Sequence, residues 1–549
     1  MNLGRRLVNC RMCESADLHE FLDLGFLPPA DGILSREEIQ HPEIFFPLKV
    51  AQCMDCGLTQ LTYVVNPEIL YDDKYSYESS ITETGKKHYF DMADSICKRF
   101  NLQNTLAVDI GSNVGVLLEG FKKNGLKILG IDAAPKIVDI ANKRGIETWK
   151  AFISPGIAKR IIEEKGKAKI VVGTNVFAHI DDKAGLVESL KIILDDDGIF
   201  VIEAPYLVDL IDNLEYDTIY LDHLEYLSMK PLVKFFERNG MQVFDVERYD
   251  IHGKSIRIFV GKNKNRIVSD NVKNLLKLEE EKGIYKIENL KKFADRVEQH
   301  KKEFLDLIRE LKKQGKKIVG ISAPAKGNTI LNYCKINTDV VDYMTEKSKI
   351  KLGGYTPGMH IPIVEESKLI DEKADYGIIF AWNFAREIMR NNREFVNRGG
   401  KFIIPIPKPI VMEGEMEDLF GVKIKKMNPD FMDERGMICD LSNKQMNHVG
   451  LITTEKGAQR GPHYHHLSVQ DSYILSGKFE VSLADAKHPE KAKRVIVNAG
   501  EMITVPAGII HGFKAIERAI MIDMSQTRGE TGYESDVVRV KMEDLKIQN

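Results

Sequence analysis

No stretch of the chain approaches the roughly 18 consecutive apolar residues that span a bilayer, so no membrane-spanning helix is expected. Nor is there a surplus of charge. The 78 basic and 81 acidic residues leave a net charge of -3, which offers no electrostatic footprint for nucleic acid or an anionic membrane. Arg5 and Arg6 near the start are followed by no apolar run of the kind a secretion signal needs. Short tandem repeats and low-complexity tracts are absent. Cysteine is sparse: Cys10, Cys13, Cys53, Cys56, Cys97, Cys334 and Cys439 are all there are. Four of them form two close pairs, which reads as metal binding plus free thiols and not as a disulfide framework. A cytoplasmic protein is expected.

What is present is length, 549 residues with 43% apolar content, enough for several cores at roughly 100–200 residues per domain. Four blocks are expected: residues 1–70 with both cysteine pairs, 71–265, 266–410 and 411–549. TLAVDIG, LKILGID, KIVVGTN and GIFVIEAP are strand candidates separated by helical stretches, an alternation that predicts a parallel sheet covered by helices. VEQHKKEFLDLIRELKKQG carries charges around periodic Leu, Phe and Ile. It predicts a long amphipathic helix ending near Gly315, read as a solvated connector. KKIVGISAPAKGNTILNYC opens a second α/β block. SYILSGKFEVSL and EMITVPAG, with turn residues between, predict an all-β final block.

Cys10-x-x-Cys13 and Cys53-x-x-Cys56 are two knuckles able to supply four thiolates to one zinc ion. Such a site has no open position for substrate and is structural, stabilising a block too small to rely on its own core. Redox thiols or unliganded cysteines are the alternative.

Val108-Asp109-Ile110-Gly111-Ser112-Asn113-Val114-Gly115 follows a strand and opens a helix. Its glycines allow a tight turn and close approach of a cofactor. Leu118 stands where a dinucleotide fingerprint needs its third glycine. Asp132 ends the next strand, placed to accept hydrogen bonds from two ribose hydroxyls, and Gly173-Thr174-Asn175-Val176-Phe177-Ala178-His179 ends another. In this order the pieces resemble class I S-adenosylmethionine-dependent methyltransferases. The resemblance implies cofactor contacts from Asp109, Gly111, Asn113, Gly115, Asp132 and Asn175. A nicotinamide-binding Rossmann domain and a fold without cofactor are the alternatives.

Tyr216-Asp217-Thr218-Ile219-Tyr220-Leu221-Asp222-His223-Leu224-Glu225-Tyr226 gathers aromatics, acids and a histidine, and Tyr71, Tyr75, Tyr77, Ser79 and Ser80 form an earlier cluster. Taken singly, such tyrosines also suit plain amphipathic packing. With the paired cysteines, VDIGSNVG, YSYESSITETGKKH, YDTIYLDHLEYLS, GISAPAKGNTILNYC, KLGGYTPGMHIPI and FAWNFAREI, they resemble a known family over about residues 5–410. It is the sugar C-methyltransferases acting at C3 of deoxythymidine-diphosphate-linked 4-keto sugars. That family has a zinc-binding region, a methyltransferase domain and a C-terminal Rossmann-like region. The resemblance implies His223 as the base that takes the C3 proton, with Tyr220 beside it and Asp222 where the family usually has Glu. Tyr75 and Tyr77 would stabilise the enolate oxygen or close over the sugar. A histidine satisfied within the core is the competing reading of His223. Lys326 and Asn328, in Ala325-Lys326-Gly327-Asn328-Thr329 after a strand, suit a diphosphate, with Lys351 and Tyr355 on a further loop.

His463, His465, Gln470 and His511 lie in GPHYH-x4-Gln and G-x5-PAG-x2-H segments that closely resemble the two cupin motifs. These residues are candidate ligands of a divalent metal, Gln470 being a weak neutral one. Arg460-Gly461-x-His463 and the earlier Asp433-Glu434-Arg435-Gly436 resemble metal-free cupin epimerases and 3,4-ketoisomerases of nucleotide sugars. There Arg460 would contact substrate and His463 would move the proton. A sugar-binding module is the third reading, and the cupin is also a candidate surface for a homodimer. The expected architecture is multidomain α/β plus all-β. It comprises the zinc-binding region, a class I methyltransferase Rossmann-like domain, a second Rossmann-like domain and a cupin β-barrel. The expected partner is a nucleotide-linked keto sugar, with no nucleic acid and no membrane. An O- or N-methyltransferase and a sugar-binding scaffold are the competing functions.

Overall fold

A computed structural model describes residues 3–72, 75–79, 82–249, 254–262, 264, 266–412, 422–427, 431–433, 436–442, 446–525, 536–541 and 545. Ser80, Glu434 and Arg435, singled out in the sequence, lie outside the described residues. Residues 1–415 form one compact unit and residues 416–549 a second. Among the described residues, no helix is long and apolar enough to cross a membrane.

The first unit is organised around a seven-stranded sheet. Its spatial order is Gln242–Tyr249, Ser255–Gly261, Leu194–Pro205, Ala168–Thr174, Leu106–Ile110, Lys127–Asp132 and Thr148–Lys150. Five strands are parallel, and the pair at 242–261 runs antiparallel at one edge. Leu106–Ile110 sits centrally and is buried along its whole length, as expected of a strand covered on both faces. The cofactor motifs fall at the carboxyl ends of three adjacent parallel strands, where open α/β sheets bind ligands.

A second sheet has the order Ile363–Glu365, Met344–Glu346, Ile318–Ile321, Tyr376–Ile379, Lys401–Ile404 and Ile410–Met412, parallel except for the last strand. The cysteine-bearing block contributes the four-stranded antiparallel sheet Glu225–Tyr226, Thr59–Leu61, Phe46–Cys53, Leu18–Leu27. Its edge strand comes from beyond residue 220. Its core, including Leu48, Val50 and Leu58, is continuous with that around the seven-stranded sheet. So the block is not left to depend on a small core of its own.

The connector expectation is corrected. Asp270–Lys282 and Ile287–Lys313 are helices, but not solvated struts. Leu290, Phe293, Val297, Phe304, Ile308 and Leu311 are buried along one stripe of the second helix. Glu279, fully buried, accepts hydrogen bonds from Tyr206 Oη (3.0 Å) and Met229 N (2.6 Å). His300 donates from Nε2 to the Pro405 carbonyl (2.7 Å) and so accepts at Nδ1 from the Tyr216 hydroxyl (3.1 Å). A buried polar group persists only when paired in this way, so these helices bind the two sheets into one unit.

The second unit is a two-sheet β-barrel. One sheet holds Lys423–Lys426, Glu501–Val505, Gln470–Ser476, Ala519–Ser525 and His448–Thr454; the other holds Lys493–Asn498, Lys478–Asp485, Ile509–Ala515, Gln459–His465 and Val537–Arg539. Phe479, Val481, Phe513, Ile503 and Met521 fill the space between. Gly477 makes the 470–485 hairpin with φ +78°; a Cβ there would meet the Arg518 carbonyl at 2.4 Å.

Candidate active sites and metal centres

A cavity of about 480 Å³ opens at the carboxyl ends of the central parallel strands. One half is built by the glycine loop. Gly111 (φ +69°) lies so close to Val176 that a Cβ would sit 2.6 Å from its side chain, and Gly115 (φ +81°) is equally tight against Ile146. Asp109 is buried with Oδ1 unpartnered, and burial together with Asp132 pushes its carboxyl well above the usual range. Asp132 accepts from Asn113 N at Oδ2 (2.9 Å) and from Ala134 N at Oδ1 (3.0 Å), each oxygen keeping a lone pair for another donor. Asn113 also hooks the tyrosine loop: its Oδ1 accepts from Ser79 N (2.8 Å) and its Nδ2 donates to the Tyr77 carbonyl (3.0 Å). Asn175 (φ +55°) lines the same half, and its N–H donates to the Glu203 carbonyl (2.7 Å). The unpartnered Asp109 Oδ1 and the spare lone pairs of Asp132 are the chemistry that suits the ribose hydroxyls and amino group of S-adenosylmethionine. The residues present therefore fit that group.

The other half holds His223. Its Nδ1 donates to the Thr218 carbonyl (2.7 Å), which fixes the tautomer and leaves Nε2 as an acceptor. Burial holds its pKa down at about 4, so the ring is neutral at physiological pH. The Tyr220 ring lies over it at 4.0 Å between centroids. Burial, with Asp31 nearby, pushes the Asp222 carboxyl up to about 8, and Asp222 Oδ2 has no partner. Tyr75 and Tyr77 line the cavity, burial keeping both phenols protonated and Tyr77 at about 12.

Several residues here were not proposed from sequence. His179 lies 5.0 Å from His223 between ring centroids and is hydrogen-bonded through Nδ1 to the Tyr71 hydroxyl (2.9 Å), with Nε2 buried and unpartnered. Asp31 reaches the cavity from the cysteine-bearing block. Behind the cavity, Glu203 is paired with Arg257 (2.7 Å) and His88 (2.5 Å). His179, Glu203 and His88 stood in the quoted segments GTNVFAH, GIFVIEAP and YSYESSITETGKKH; nothing local marks Asp31 or Arg257.

Of the expected nucleotide contacts, Lys326 lines the cavity, bonded to Asn383 Oδ1 (3.2 Å) and 4.7 Å above the Trp382 ring. Asn328, Lys351 and Tyr355 do not reach it. Asn328 Nδ2 donates to the Ala30 carbonyl (2.6 Å). Lys351 is buried against the Ala323 carbonyl (2.8 Å) and Asp31 (3.7 Å). Tyr355 is bridged to Leu34 and Pro362. All three are engaged in holding loops together.

The four knuckle cysteines converge, with sulfur atoms all within 4.8 Å of one another. Cys10–Cys56 and Cys13–Cys53 are 3.6 and 3.5 Å apart, too long for disulfides. These distances approach the ~3.8 Å expected between thiolates bound tetrahedrally at ~2.3 Å from zinc. The hydrogen bond from Cys56 pulls the Cys10 thiol down and pushes Cys56 up, while burial raises Cys13. The donor set fits zinc.

In the barrel, His463 and His511 face each other across adjacent strands, and with His465 their ring nitrogens lie within 4.8 Å of one another. His465 Nε2 and His511 Nε2 are 2.7 and 2.9 Å from Gln470 Oε1. His511 Nδ1 meets the Ile509 carbonyl (2.9 Å), yet burial holds its pKa at about 3. A neutral ring cannot donate from both nitrogens. One of the two His511 nitrogens is therefore a lone pair facing an oxygen, an arrangement that suits a cation. Arg460 lies on the barrel surface, donating to the Thr453 carbonyl (2.7 Å).

Fold and sites together define a methyltransferase of the S-adenosylmethionine-dependent class, preceded by a four-cysteine zinc-binding region and followed by a cupin. Residues 10–71 match a zinc binding domain, 91–246 a methyltransferase domain, 250–407 the C-methyltransferase C-terminal domain and 450–524 a cupin domain. The chain is 34% identical over 416 residues to C-methyltransferase NovU of Streptomyces niveus, covering 75% of this chain and 99% of that protein. It belongs to this C-methyltransferase family. Among solved structures, dTDP-4-dehydrorhamnose 3,5-epimerase of Elizabethkingia anophelis NUHP1 is 20% identical with a TM-score of 0.21, over 24% of this chain and 82% of that one. Magnesium protoporphyrin IX methyltransferase of Synechocystis PCC 6803 is 14% identical with a TM-score of 0.26, over 32% and 79%.

Proposed function

We propose that the first unit methylates a carbon, C3, of a nucleotide-linked 4-keto deoxysugar, a deoxythymidine diphosphate sugar being the favoured class. The observation that carries this is His223, neutral and anchored through Nδ1, with Nε2 free to act in a cavity lined by protonated tyrosines. S-adenosylmethionine, when bound, supplies the electrophilic methyl group. His223 Nε2 takes the C3 proton, which the neighbouring ketone makes removable. The phenols of Tyr75 and Tyr77 donate to the developing enolate oxygen. Tyr220 holds the imidazole plane. Asp222, protonated below about pH 8, donates to a sugar oxygen. Asp132, Asp109, Asn113 and Asn175 hold the cofactor, and Lys326 faces the diphosphate. The test is the product spectrum from full-length protein, S-adenosylmethionine and a panel of nucleotide-linked 4-keto sugars. A carbon-bound methyl at C3 supports the reading; methylation on oxygen or nitrogen refutes it.

For the cupin we propose a proton shift on the same class of keto sugar, epimerisation or ketoisomerisation, with His463 as the acting base. Its Nε2 is buried and has no partner. A second reading, a divalent metal on His463, His465, His511 and Gln470, is favoured by the lone pairs that face one another there. Solvent deuterium uptake that survives chelator supports the first; uptake lost on chelation and restored by a divalent ion supports the second.

A further inference from the structure

We propose that Arg11, inside the first cysteine knuckle, is a positioning residue that ties the zinc-binding region to the two cavity histidines. The role rests on His223 being the base. Arg11 is 2% exposed. Its Nε and backbone N–H both donate to Gln60 Oε1 (3.2 Å each), Nη1 to Asp181 Oδ1 (2.9 Å) and Nη2 to the Leu61 carbonyl (3.4 Å).

Each partner leads to a histidine. Gln60 is paired with Glu225 across the sheet, and Leu61 N donates to the carbonyl of Leu224, the residue after His223 (2.9 Å). Asp181 lies two residues beyond His179. Leu224 N donates to the carbonyl of Ala178, the residue before His179 (2.9 Å). Lys183 closes the ring, reaching Glu225 (2.7 Å) and the Phe177 carbonyl (2.5 Å). One guanidinium thus touches the His179 segment directly, at Asp181, and reaches the His223 segment through Gln60 and Leu61, the two rings lying 5.0 Å apart.

The fork matters as well as the charge. Arg11, Lys183 and Glu225 are all buried, and removing one member of such a set leaves an uncompensated charge. A lysine would restore the charge and reach one partner, but it cannot serve Gln60, Leu61 and Asp181 together. Cys10 and Cys13 flank Arg11, so ligation of their sulfurs fixes the backbone from which the fork is aimed.

The test uses full-length, zinc-loaded protein with Arg11→Gln, Arg11→Lys and, as a surface control, Arg144→Gln. Zinc content, S-adenosylmethionine affinity, kcat, KM and the NMR ring signals of His179 and His223 are read, assigned with His179→Gln and His223→Gln. In Arg11→Gln, zinc and cofactor affinity should hold while both ring signals move. Turnover should fall about 10–100-fold, the scale of an ångström-size misplacement, with KM little changed. Arg11→Lys should recover only part of it, and Arg144→Gln should change nothing. Unmoved ring signals in Arg11→Gln overturn the proposal, whatever the sugar. If Arg11→Gln loses zinc, Arg11→Lys decides: wild-type signals and turnover overturn the proposal, whereas shifted signals with zinc retained support it. Signals that move in a chain whose wild type methylates no keto sugar uphold the coupling and refute His223 as the base.

Discussion

The cavity histidine and the barrel histidines use the same device to opposite effect. His223 and His511 each point Nδ1 at a backbone carbonyl, Thr218 at 2.7 Å and Ile509 at 2.9 Å. In His223 this leaves Nε2 as a lone pair, whereas in His511 Nε2 faces the Gln470 amide oxygen, so that one of its two nitrogens is a lone pair set against an oxygen. His223 faces a 480 Å³ cavity among phenols and carboxyls, with His179 5.0 Å away between ring centroids. His511 lies within 4.8 Å of two other histidines and beside an amide oxygen. A fixed lone pair facing an open cavity suits a base, whereas ring nitrogens converging on one amide oxygen also suit a ligand set, the second reading of the barrel. The surroundings, more than the residue, set the chemistry.

Exchanging the two sites' losses is the most direct way to break this comparison. His223→Ala should cut methylation by about 10²–10⁴-fold, the range for general acid–base catalysis, and leave cupin-catalysed deuterium uptake intact. His463→Ala should do the reverse. If either variant loses both reactions, the sites are not independent.

Metal analysis sharpens it next. Cys13→Ser with Cys53→Ser should remove one zinc and leave any barrel metal in place, while His511→Ala should do the opposite. Metal content unchanged by the cysteine substitutions would refute the knuckle assignment. A smaller effect is expected at the cofactor. Asp132→Ala should weaken S-adenosylmethionine binding by about 1–3 kcal/mol, the usual loss of a hydrogen bond to a charged group, measured by calorimetric titration.

A further effect is on pH dependence. Asp222 titrates at about 8 when folded, against an ordinary value of 3.8. The folded state thus binds its proton more tightly, and the stability this gives is lost as pH rises from about 4 to 8. Asp222→Asn cannot ionise, so its Tm relative to wild type should rise across that window, by about a few degrees at most for a chain of this size. A constant difference from pH 4.5 to 8 would place the Asp222 carboxyl at an ordinary value.

Much of the architecture was legible because it is written locally. Strand-end motifs such as VDIG and LGID fall at strand ends whatever surrounds them, and the paired knuckles need only their own turns. The linker was misread because an apolar stripe looks the same on a packed helix and on a strut. Only partners such as Tyr216 and Pro405, beyond the helix on either side, show that His300 is buried. Lys351 was misread for a related reason. Its loop looks like a phosphate loop, but Asp31, 320 residues earlier, claims its charge. Asp31 escaped notice because nothing near it in sequence distinguishes it from other acids, and Glu203 because a strand motif does not show that Arg257 and His88 pair with its carboxylate.

The central claim, that His223 is the base for carbon methylation, is tested most directly by following the C3 proton of a nucleotide-linked 4-keto sugar in deuterated water. Full-length protein carrying His463→Ala, which silences the cupin, would be used with S-adenosylhomocysteine in place of the methyl donor. Exchange at C3 should proceed in this protein and vanish when His223→Ala is added, with cofactor affinity retained. Exchange at an equal rate in both would contradict the account and assign the proton to another residue, Tyr75 or Tyr77 first.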